Sequence, residues 1–170
     1  ELGPDHRDLA ASLGNLATAL CSQGDARKAI PLLERALRIQ EREFGPDHRE
    51  LAANLGNLAM AHSSLGDARK AMPLLERVLA IQQREFGPDH LALATTLNNL
   101  GAQHRNVGDP RKAVTLLERA LKIQERDSAP DHRDAAATLG NLATALCSLG
   151  DARKAIPLLE RALRIQMREF

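Results

Sequence analysis

The chain of 170 residues is poor in aromatic side chains, with no tryptophan, no tyrosine and only three phenylalanines. A core without large rings must be built from aliphatic side chains, so the sequence predicts a core of leucine, alanine and isoleucine. The chain is 44% hydrophobic and 26% charged, as ordinary folded proteins are, which argues against a disordered or fibrous class.

An excess of charge of either sign is also missing, because 23 basic residues are balanced by 22 acidic ones. A net charge of +1 provides little of the basic surface that nucleic-acid binding requires, so we expect no nucleic-acid partner. No apolar run approaches the roughly 20 residues of a membrane-spanning helix, and no segment resembles a signal peptide. We therefore expect a cytoplasmic (intracellular) protein without a membrane partner. Because an initiator methionine is absent, we also expect a piece of a longer protein.

Cysteine is rare as well, since the chain contains only Cys21 and Cys147. They occupy the same position of a repeat, three repeats apart, and in a stacked array they are separated by several helix diameters of about 10 Å each. That separation excludes a disulfide, and free thiols fit a reducing compartment.

What the sequence does contain is a fourfold repetition with a period of 42 residues. The four copies occupy residues 3–44, 45–86, 87–128 and 129–170. The first and fourth copies agree at 37 of 42 positions, whereas the third copy has diverged most from the first. A fixed period of this size predicts an array of stacked units, with the four copies as its repeats, within a single solenoid domain.

Each copy contains two stretches of helical periodicity, which in the first copy predict helix A near 5–22 and helix B near 26–44. The apolar stripe of helix A consists of Leu9, Leu13, Leu16, Ala17 and Leu20, and that of helix B of Ala29, Leu33, Ala36, Leu37 and Ile39. Asp5 and Asp25 stand where N-caps are expected. The short Gly24-Asp25 joint predicts that the two helices are antiparallel.

Pro31 lies near the sixth position of helix B, where it cannot donate a hydrogen bond to the carbonyl of Arg27. Pro73 and Pro157 repeat this feature in the second and fourth copies. Either the helix is bent at the proline, which we favour, or helix B begins later than Asp25 suggests.

The first copy has the pattern Leu13-x2-Leu16-Ala17-x2-Leu20, followed by Gly24-Asp25-x3-Ala29-x3-Leu33-x2-Ala36-Leu37. This pattern resembles the tetratricopeptide repeat, whose usual period is about 34 residues. The longer period, with Ile-Gln-x-Arg-Glu-Phe-Gly-Pro-Asp-His between units, is similar to the repeats of kinesin light chains and NB-ARC-type NTPases. The resemblance implies an all-α, right-handed superhelical solenoid of four helix-turn-helix repeats. Helix A would line a concave groove, and helix B would lie outside. The charged residues of helix B themselves indicate a solvated outer face, and salt pairing between neighbouring repeats is left open.

No catalytic or nucleotide-binding motif is recognisable, because the P-loop, the dinucleotide-binding glycine turn, Cys-x-x-Cys and His-Glu-x-x-His are all absent. We therefore expect neither an enzyme nor a cofactor. One histidine per copy follows a Pro-Asp pair, at His6, His48, His90 and His132. Successive histidines would lie about 10 Å apart, whereas a transition metal holds its ligands within about 2.3 Å. We expect these histidines to pack the turn and to form no metal site.

The groove implied by the resemblance is the main candidate for function. One asparagine occupies the same helix A position in every copy, at Asn15, Asn57, Asn99 and Asn141. An asparagine amide can pair with the main chain of an extended peptide whatever its side chains are. In kinesin light chain-like arrays, asparagines at this position hold the peptide backbone. The alternative is an intramolecular ladder, in which each asparagine bonds to the neighbouring helix.

Other groove positions differ between copies and are candidates for selecting the peptide sequence. The remaining candidate residues are Thr18, Met60, Asn98, Arg105, Asn106 and Thr144. Arg105, with Asn98 and Asn106 nearby, makes the third copy the most polar and offers a partner for a carboxylate. The alternative is that these residues reflect sequence drift of the third copy without a functional role. His62 and His104 replace a leucine at a packing position, where we expect core polarity and not chemistry.

Gly14, Gly56 and Gly140 precede three of the four asparagines. Glycine within a helix costs about 1 kcal/mol relative to alanine. A close approach of another helix or of a ligand backbone would offset this cost, and we slightly favour helix packing.

We predict a protein–protein interaction module that binds a peptide segment of a partner in the concave groove. One alternative is a sensing or autoinhibitory arm of a larger NB-ARC-type NTPase or receptor, and another is a purely structural spacer. The last helix B has the same apolar stripe as the internal ones, so we also predict end-to-end self-association through uncapped terminal repeats.

Overall fold

The structure is a computed structural model that describes residues 7–127 and 133–168. All regular structure in these ranges is helical: α1 (Arg7–Ser22), α2 (Ala26–Phe44), α3 (Leu51–Ser64), α4 (Ala68–Phe86), α5 (Ala92–Asn106), α6 (Pro110–Asp127), α7 (Arg133–Ser148) and α8 (Ala152–Met167). The all-α prediction is confirmed, with odd-numbered helices in the helix A places and even-numbered helices in the helix B places. Asp5, His6 and His132 lie outside the described residues. The limits of the four repeats stay a prediction.

A tight turn at a glycine joins the two helices of each pair. Gly24 has a φ of +84°, a left-handed conformation that side chains with a Cβ atom rarely adopt. Its N–H donates to the carbonyl of Cys21 at 3.0 Å, and the N–H of Asp25 donates to the carbonyl of Leu20 at 2.8 Å. These bonds satisfy carbonyls at the end of α1, so the chain can reverse directly into α2.

The side chain of Asp25 does not cap α2, and that detail of the prediction is wrong. Its carboxylate instead pairs with the ammonium of Lys28 at 2.7 Å. The aspartates in the same register of the third and fourth copies do cap their helices. Asp109 Oδ1 accepts from the backbone N–H of Lys112 at 3.1 Å, and Asp151 Oδ1 accepts from that of Lys154 at 3.3 Å.

The three prolines lie within continuous helices. Helix α2 begins at Ala26 and continues through Pro31 to Phe44, so the alternative of a later start is wrong. Helices α4 and α8 likewise continue through Pro73 and Pro157. Ala26 directly follows Asp25, so the proline falls at the sixth helical position, where the sequence placed it.

The chain divides into two compact units, residues 1–85 and 86–170. In the first unit one buried cluster draws on all four helices, through Ala17 of α1, Leu33 of α2, Leu51 and Leu55 of α3, and Val78 of α4. Helix α3 therefore packs on the preceding helix pair through its leucine stripe.

The second unit has an equivalent cluster on α6, α7 and α8, which includes Leu117, Leu139, Leu142 and Ile165. A Cβ atom at Gly101 would lie 2.7 Å from Leu117 Cγ, so this glycine lets α5 approach α6 closely. The buried apolar side chains among the described residues are alanine, leucine and isoleucine, with one valine. The predicted aliphatic core is confirmed.

The predicted helix stripes are mostly buried, with one correction. All five stripe residues of helix B lie in the core. In helix A, however, Leu16 is 53% exposed, whereas Leu58 in the same register is only 5% exposed. Leu58 joins the core cluster shared by α2, α3 and α4, whereas the matching side of α1 is uncovered among the described residues. Burial of this position thus requires a preceding helix pair.

Candidate functional site

The predicted groove residues lie on the helix A elements of each unit. We call them the first helix A surface (Asn15, Thr18, Asn57 and Met60, on α1 and α3) and the second helix A surface (Asn98, Asn99, Arg105, Asn106, Asn141 and Thr144, on α5 and α7). All ten side chains are exposed or half-buried. No helix among the described residues is both long and apolar enough to cross a membrane.

On the first helix A surface, a chain of hydrogen bonds connects the two helices. Asn57 Nδ2 donates to Thr18 Oγ1 at 3.0 Å, and Thr18 Oγ1 donates to the carbonyl of Gly14 at 2.9 Å. Within residues 7–127 and 133–168 the Asn57 Oδ1 atom accepts no hydrogen bond, and it remains available on the surface. Met60, one turn further along α3, is 57% exposed and adds an apolar surface.

On the second helix A surface, Asn141 Nδ2 donates to Asn98 Oδ1 at 3.0 Å. The half-buried Arg105 donates to Asn106 Oδ1 at 3.3 Å, a neutral acceptor. No carboxylate of the described part of this unit forms an ion pair with Arg105, so its positive charge is not neutralised there. Thr144 Oγ1 donates back to the carbonyl of Gly140 at 2.8 Å.

The structure contains part of the intramolecular ladder that was one of the two alternatives for the asparagine series, and peptide contact stays a prediction. Asn57 and Asn141 form rungs to the neighbouring helix A. Asn15 donates to no described residue, and Asn99 donates to none in the described part of its unit. Each rung uses only the N–H donor of the amide, because the Oδ1 acceptor points away from it. An intramolecular rung and a contact with a ligand are thus compatible.

The three glycines that directly precede an asparagine of the series have different surroundings. A Cβ atom at Gly14 would lie 2.5 Å from Asn54 Oδ1, so here a neighbouring helix side chain fills the space. Gly56 and Gly140 have no atom within 4 Å of the equivalent Cβ position. Helix packing is confirmed as the explanation at Gly14 and is wrong at the other two. Close packing cannot offset the roughly 1 kcal/mol cost of glycine at Gly56 and Gly140.

A polar layer that was not predicted from the sequence lies where α3 and α7 meet the helix pair before them in their own unit. We call the contact of α3 with α1 and α2 the first junction, and that of α7 with α5 and α6 the second junction. In the first junction, Gln40 Nε2 donates to the carbonyl of Glu50 at 3.1 Å, and Gln40 Oε1 accepts from Asn54 Nδ2 at 2.9 Å. Glutamine recurs in this register in every copy, which was the signal available; the copies are Gln40, Gln82, Gln124 and Gln166.

Arginines on helix B connect adjacent helix pairs, so the salt pairing between neighbouring repeats that the sequence left open is formed within each unit. The half-buried Arg77 of α4 pairs with Glu41 Oε1 at 2.6 Å and donates to the carbonyl of Pro46. In the second unit, Arg119 donates to the carbonyl of Pro88 at 2.6 Å, and Arg161 pairs with Glu125. Half-exposed pairs of this kind contribute about 1 kcal/mol or less each.

The turn histidines pack against aromatic rings. His48 stacks on Phe44 with ring centroids 4.9 Å apart, and His90 stacks on Phe86 at 4.8 Å. The His48 Nδ1 atom also accepts from the backbone N–H of Glu50 at 3.3 Å. The turn-packing prediction is confirmed for these two histidines. No group of three or more potential metal ligands occurs among the described residues.

His62 and His104 are buried, as expected for residues in a leucine position. Their Nδ1 atoms lie 4.0 Å and 3.8 Å from the carboxylates of Asp67 and Asp109. Each carboxylate belongs to the turn that starts the next helix, so the histidines add polar contacts between the core and the turn. The predicted packing role is confirmed.

Two further titratable groups have environments that bear on reactivity and stability. Cys21 and Cys147 are free thiols. Burial raises the pKa of the Cys21 thiol, which disfavours its reactive thiolate form. A hydrogen bond from the Lys154 ammonium lowers the pKa of the Asp151 carboxyl, and the bond from the Lys154 backbone N–H lowers it further.

The helix pairs of this chain match a known family along most of its length. A family model described as tetratricopeptide repeat matches residues 8–84, 69–126 and 93–168. No curated protein matches the chain as a relative.

Solved structures share both the fold and part of the sequence. A putative kinesin light chain from Podosopora anserina with nearly identical TPR-like repeats is 30% identical, with a TM-score of 0.80 over 99% of this chain and 80% of that chain. BtubC (BKLC) from P. vanneervenii is 28% identical, with a TM-score of 0.85 over 96% of this chain and 66% of that chain. MamA, at 17% identity and a TM-score of 0.70 over 94% of this chain and 80% of that chain, shares the fold alone.

Proposed function

Because the chain belongs to the tetratricopeptide repeat family, we propose that it is an interaction module that binds an extended peptide segment of a partner protein on its helix A surfaces. Tetratricopeptide repeat proteins generally mediate protein–protein interactions. The proposal adds the place and the mode of binding. The partner contributes main-chain N–H and C=O groups, and the module contributes side-chain amides.

The arrangement of Asn57 and Asn141 is the observation that supports this proposal. Each amide is oriented by its N–H bond to the neighbouring helix, and each keeps a carbonyl oxygen that accepts no bond from the described residues. An oriented acceptor loses little conformational entropy when a ligand binds. A peptide N–H is the matching donor, and it is present whatever the peptide sequence is.

Selectivity between peptides would come from the groups that differ between the two surfaces. Met60 presents exposed apolar area on the first surface, which suits an apolar side chain of the partner. Arg105 presents a positive charge that pairs with no carboxylate in the described part of its unit, which suits an acidic side chain of the partner. We therefore expect peptides with an apolar residue for one surface and an acidic residue for the other.

The test is selection of peptides from a random library displayed on phage, followed by measurement of Kd by fluorescence anisotropy. The double variant Asn57→Ala with Asn141→Ala lacks both Oδ1 acceptors, so it should lose about two hydrogen bonds to the ligand. We expect Kd to rise about tenfold or more. Circular dichroism of the variant should show an unchanged helix content.

A matched control replaces two exposed helix B carboxylates that share one register, Glu34→Ala with Glu160→Ala. This control should leave Kd unchanged. Equal affinity of all three proteins for the selected peptides would contradict the proposal and favour a structural spacer. Failure to select any peptide would contradict it as well.

A second candidate function, self-association, is favoured by an apolar stripe on α8. Ile156, Leu159, Leu163 and Met167 are all exposed and follow one another at helical spacing. Leu33 and Leu37 of α2, in the registers of Leu159 and Leu163, lie in the core cluster that includes α3. Since Leu16 of α1 matches the α3 residue Leu58, α1 of a second copy is the occupant that we propose for this stripe.

Such head-to-tail packing joins two different surfaces and therefore does not close, so assembly should increase with concentration. Analytical ultracentrifugation across a concentration series tests this prediction. The Leu159→Glu and Leu163→Glu double variant should remain monomeric throughout, because the added charges cannot be buried against a second copy. Both positions are exposed, so the fold of the single chain should be unchanged. An unmodified chain that stays monomeric up to millimolar concentration would contradict self-association and leave the peptide-binding proposal intact.

A further inference from the structure

A buried acceptor without a partner distinguishes the second junction. Gln124 of α6 is 7% exposed, and its Nε2 atom donates to the carbonyl of Asp134 at 3.1 Å. Its Oε1 atom is buried and has no hydrogen-bond partner among the described residues. Buried amide oxygens in folded proteins are nearly always hydrogen-bonded, so this atom requires a donor from elsewhere.

The first junction shows how the same acceptor is satisfied from within the chain. Gln40 occupies the register of Gln124, and its Nε2 atom makes the equivalent bond to the carbonyl of Glu50. Its Oε1 atom accepts from Asn54 Nδ2 at 2.9 Å. The Asn54 amide fits there because the facing residue is Gly14, where even a Cβ atom would come within 2.5 Å.

In the second junction the larger of the two residues that face the glutamine is on the other helix. Asn98 stands in the register of Gly14, and Thr138 stands in that of Asn54. The Thr138 side chain carries no amide, and Asn98 uses its Oδ1 atom to accept from Asn141. Residues 7–127 and 133–168 therefore supply no donor to Gln124 Oε1.

Gln124 lines an open cavity of about 320 Å³. The other uncharged side chains in its wall are Thr95, Asn98, Ala137 and Thr138, and Arg133 and Asp134 also contribute to the wall. A cavity of about 340 Å³ is also present in the first junction, so volume alone does not distinguish the two. The difference is the unpaired acceptor.

We propose that this cavity is a subsite for a neutral primary amide, the side chain of an asparagine or glutamine of a bound peptide. The proposal rests on the peptide-binding function proposed above. In the bound state the Gln124 amide turns its Oε1 atom toward the cavity, where the ligand N–H₂ group donates to it. The ligand carbonyl accepts from a hydroxyl or amide donor of the wall, which Thr95, Asn98 and Thr138 carry. Arg133 and Asp134 provide one charge of each sign, so the wall selects neither a cation nor an anion.

Acetamide is the simplest probe of this subsite, because it is the isolated side-chain group. The measurement is a titration of isotope-labelled protein, followed by NMR at the side-chain amide signals of Gln124 and Gln40. We expect a saturable shift at Gln124 with millimolar affinity, and no saturable shift at Gln40. N,N-dimethylacetamide, which has no N–H donor, should produce no saturable shift at either residue.

A residue exchange between the junctions supplies the matched variant. Asn98→Gly with Thr138→Asn gives the second junction the residues of the first, and it should weaken acetamide binding at Gln124 at least about tenfold. Gln124→Met provides a second variant that removes the acceptor itself, and in this variant the side-chain amide signal of Asn98, in the same cavity wall, is the readout. Saturable binding that survives both changes, equal shifts at Gln40, or the absence of any saturable shift at Gln124 would overturn the subsite.

The two proposals can fail separately. If acetamide binds at Gln124 but no library peptide binds the module, the peptide-binding function fails and the amide site remains. If selected peptides bind and Gln124→Met changes neither their Kd nor their preference for asparagine or glutamine, the subsite fails and the peptide-binding function remains.

Discussion

The first and second junctions have the same apolar packing and different polar layers. Leu55 and Leu139 occupy one register of α3 and α7, and both are completely buried. In the polar layer, Gly14 faces Asn54 in the first junction, and Asn98 and Thr138 occupy the same registers in the second. The bulky amide is thus on α3 in one junction and on α5 in the other. The two facing pairs therefore differ in function as well as in position, because only the first supplies a donor to its glutamine among the described residues.

The largest effect should come from the shared apolar layer, and it should be equal in both junctions. Leu55→Ala and Leu139→Ala each leave a cavity in a fully buried cluster, at an expected cost of about 2–5 kcal/mol. The free energy of unfolding from denaturant titration measures it. A much smaller loss at one of the two sites would show that the apolar layers are not equivalent either.

The next largest effect should be a difference in the loss of stability when each of the two glutamines is replaced by leucine. Gln40→Leu leaves the Asn54 amide without its acceptor, whereas Gln124→Leu removes an oxygen that had no partner among the described residues. Both changes lose the bond to a backbone carbonyl, so their difference isolates the Asn54 contact. We expect Gln40→Leu to cost about 1–3 kcal/mol more than Gln124→Leu.

Denaturant titration of both variants beside the unmodified protein gives this difference. Asn54→Ala in the Gln40→Leu background is the control, because it removes the stranded donor and should recover part of the loss. Equal losses at Gln40 and Gln124 would mean that the Asn54 bond contributes nothing to stability.

Secondary structure and core were predictable because they depend on periodicity within one copy. The stripe from Ala29 to Ile39 is buried as a helix of period 3.6 requires. The repetition at 42 residues also identified the stacking, since a unit of two helices cannot bury its apolar faces alone.

What escaped prediction depends on distances between copies. The contact of Asn54 with Gly14 and Gln40 joins three helices, and no local pattern in any of them indicates it. Asp25 makes only its lysine contact, whereas Asp151 in the same register makes both the lysine contact and the capping bond, and no sequence pattern indicates this difference. The groove positions were named from the resemblance, and their binding role stays a prediction. The hydrogen bonds that orient Asn57 and Asn141 became visible only with the helices in place.

A smaller effect should distinguish the helix A glycines. Gly14→Ala forces Asn54 away from its position, and we expect a loss of about 1 kcal/mol. Gly56→Ala and Gly140→Ala meet open space, and we expect each to stabilise the fold by about 0.4–1 kcal/mol. Thermal unfolding of the three variants gives the order. If the open glycines admit a ligand backbone, the two stabilised variants should also bind selected peptides more weakly.

The smallest effect should concern pH and the caps that differ between the units. The pKa of Asp151 is lowered, chiefly by its hydrogen bond with the Lys154 ammonium, so its ionised form is favoured in the folded state. A lowered pKa contributes stability above the unfolded-state value of about 3.9, and this contribution is lost as the pH falls through the folded-state value. Asp151→Asn retains a cap acceptor but removes the charge, so the free energy of unfolding measured from neutral pH down to about pH 3 should show a smaller acid-dependent loss.

Asp25→Asn is the matched control, because the Asp25 side chain makes no capping bond and the substitution affects only its contact with Lys28. If the two variants reduce the acid-dependent loss equally, the capping bond adds nothing beyond the lysine pair, and the two units do not differ in this respect.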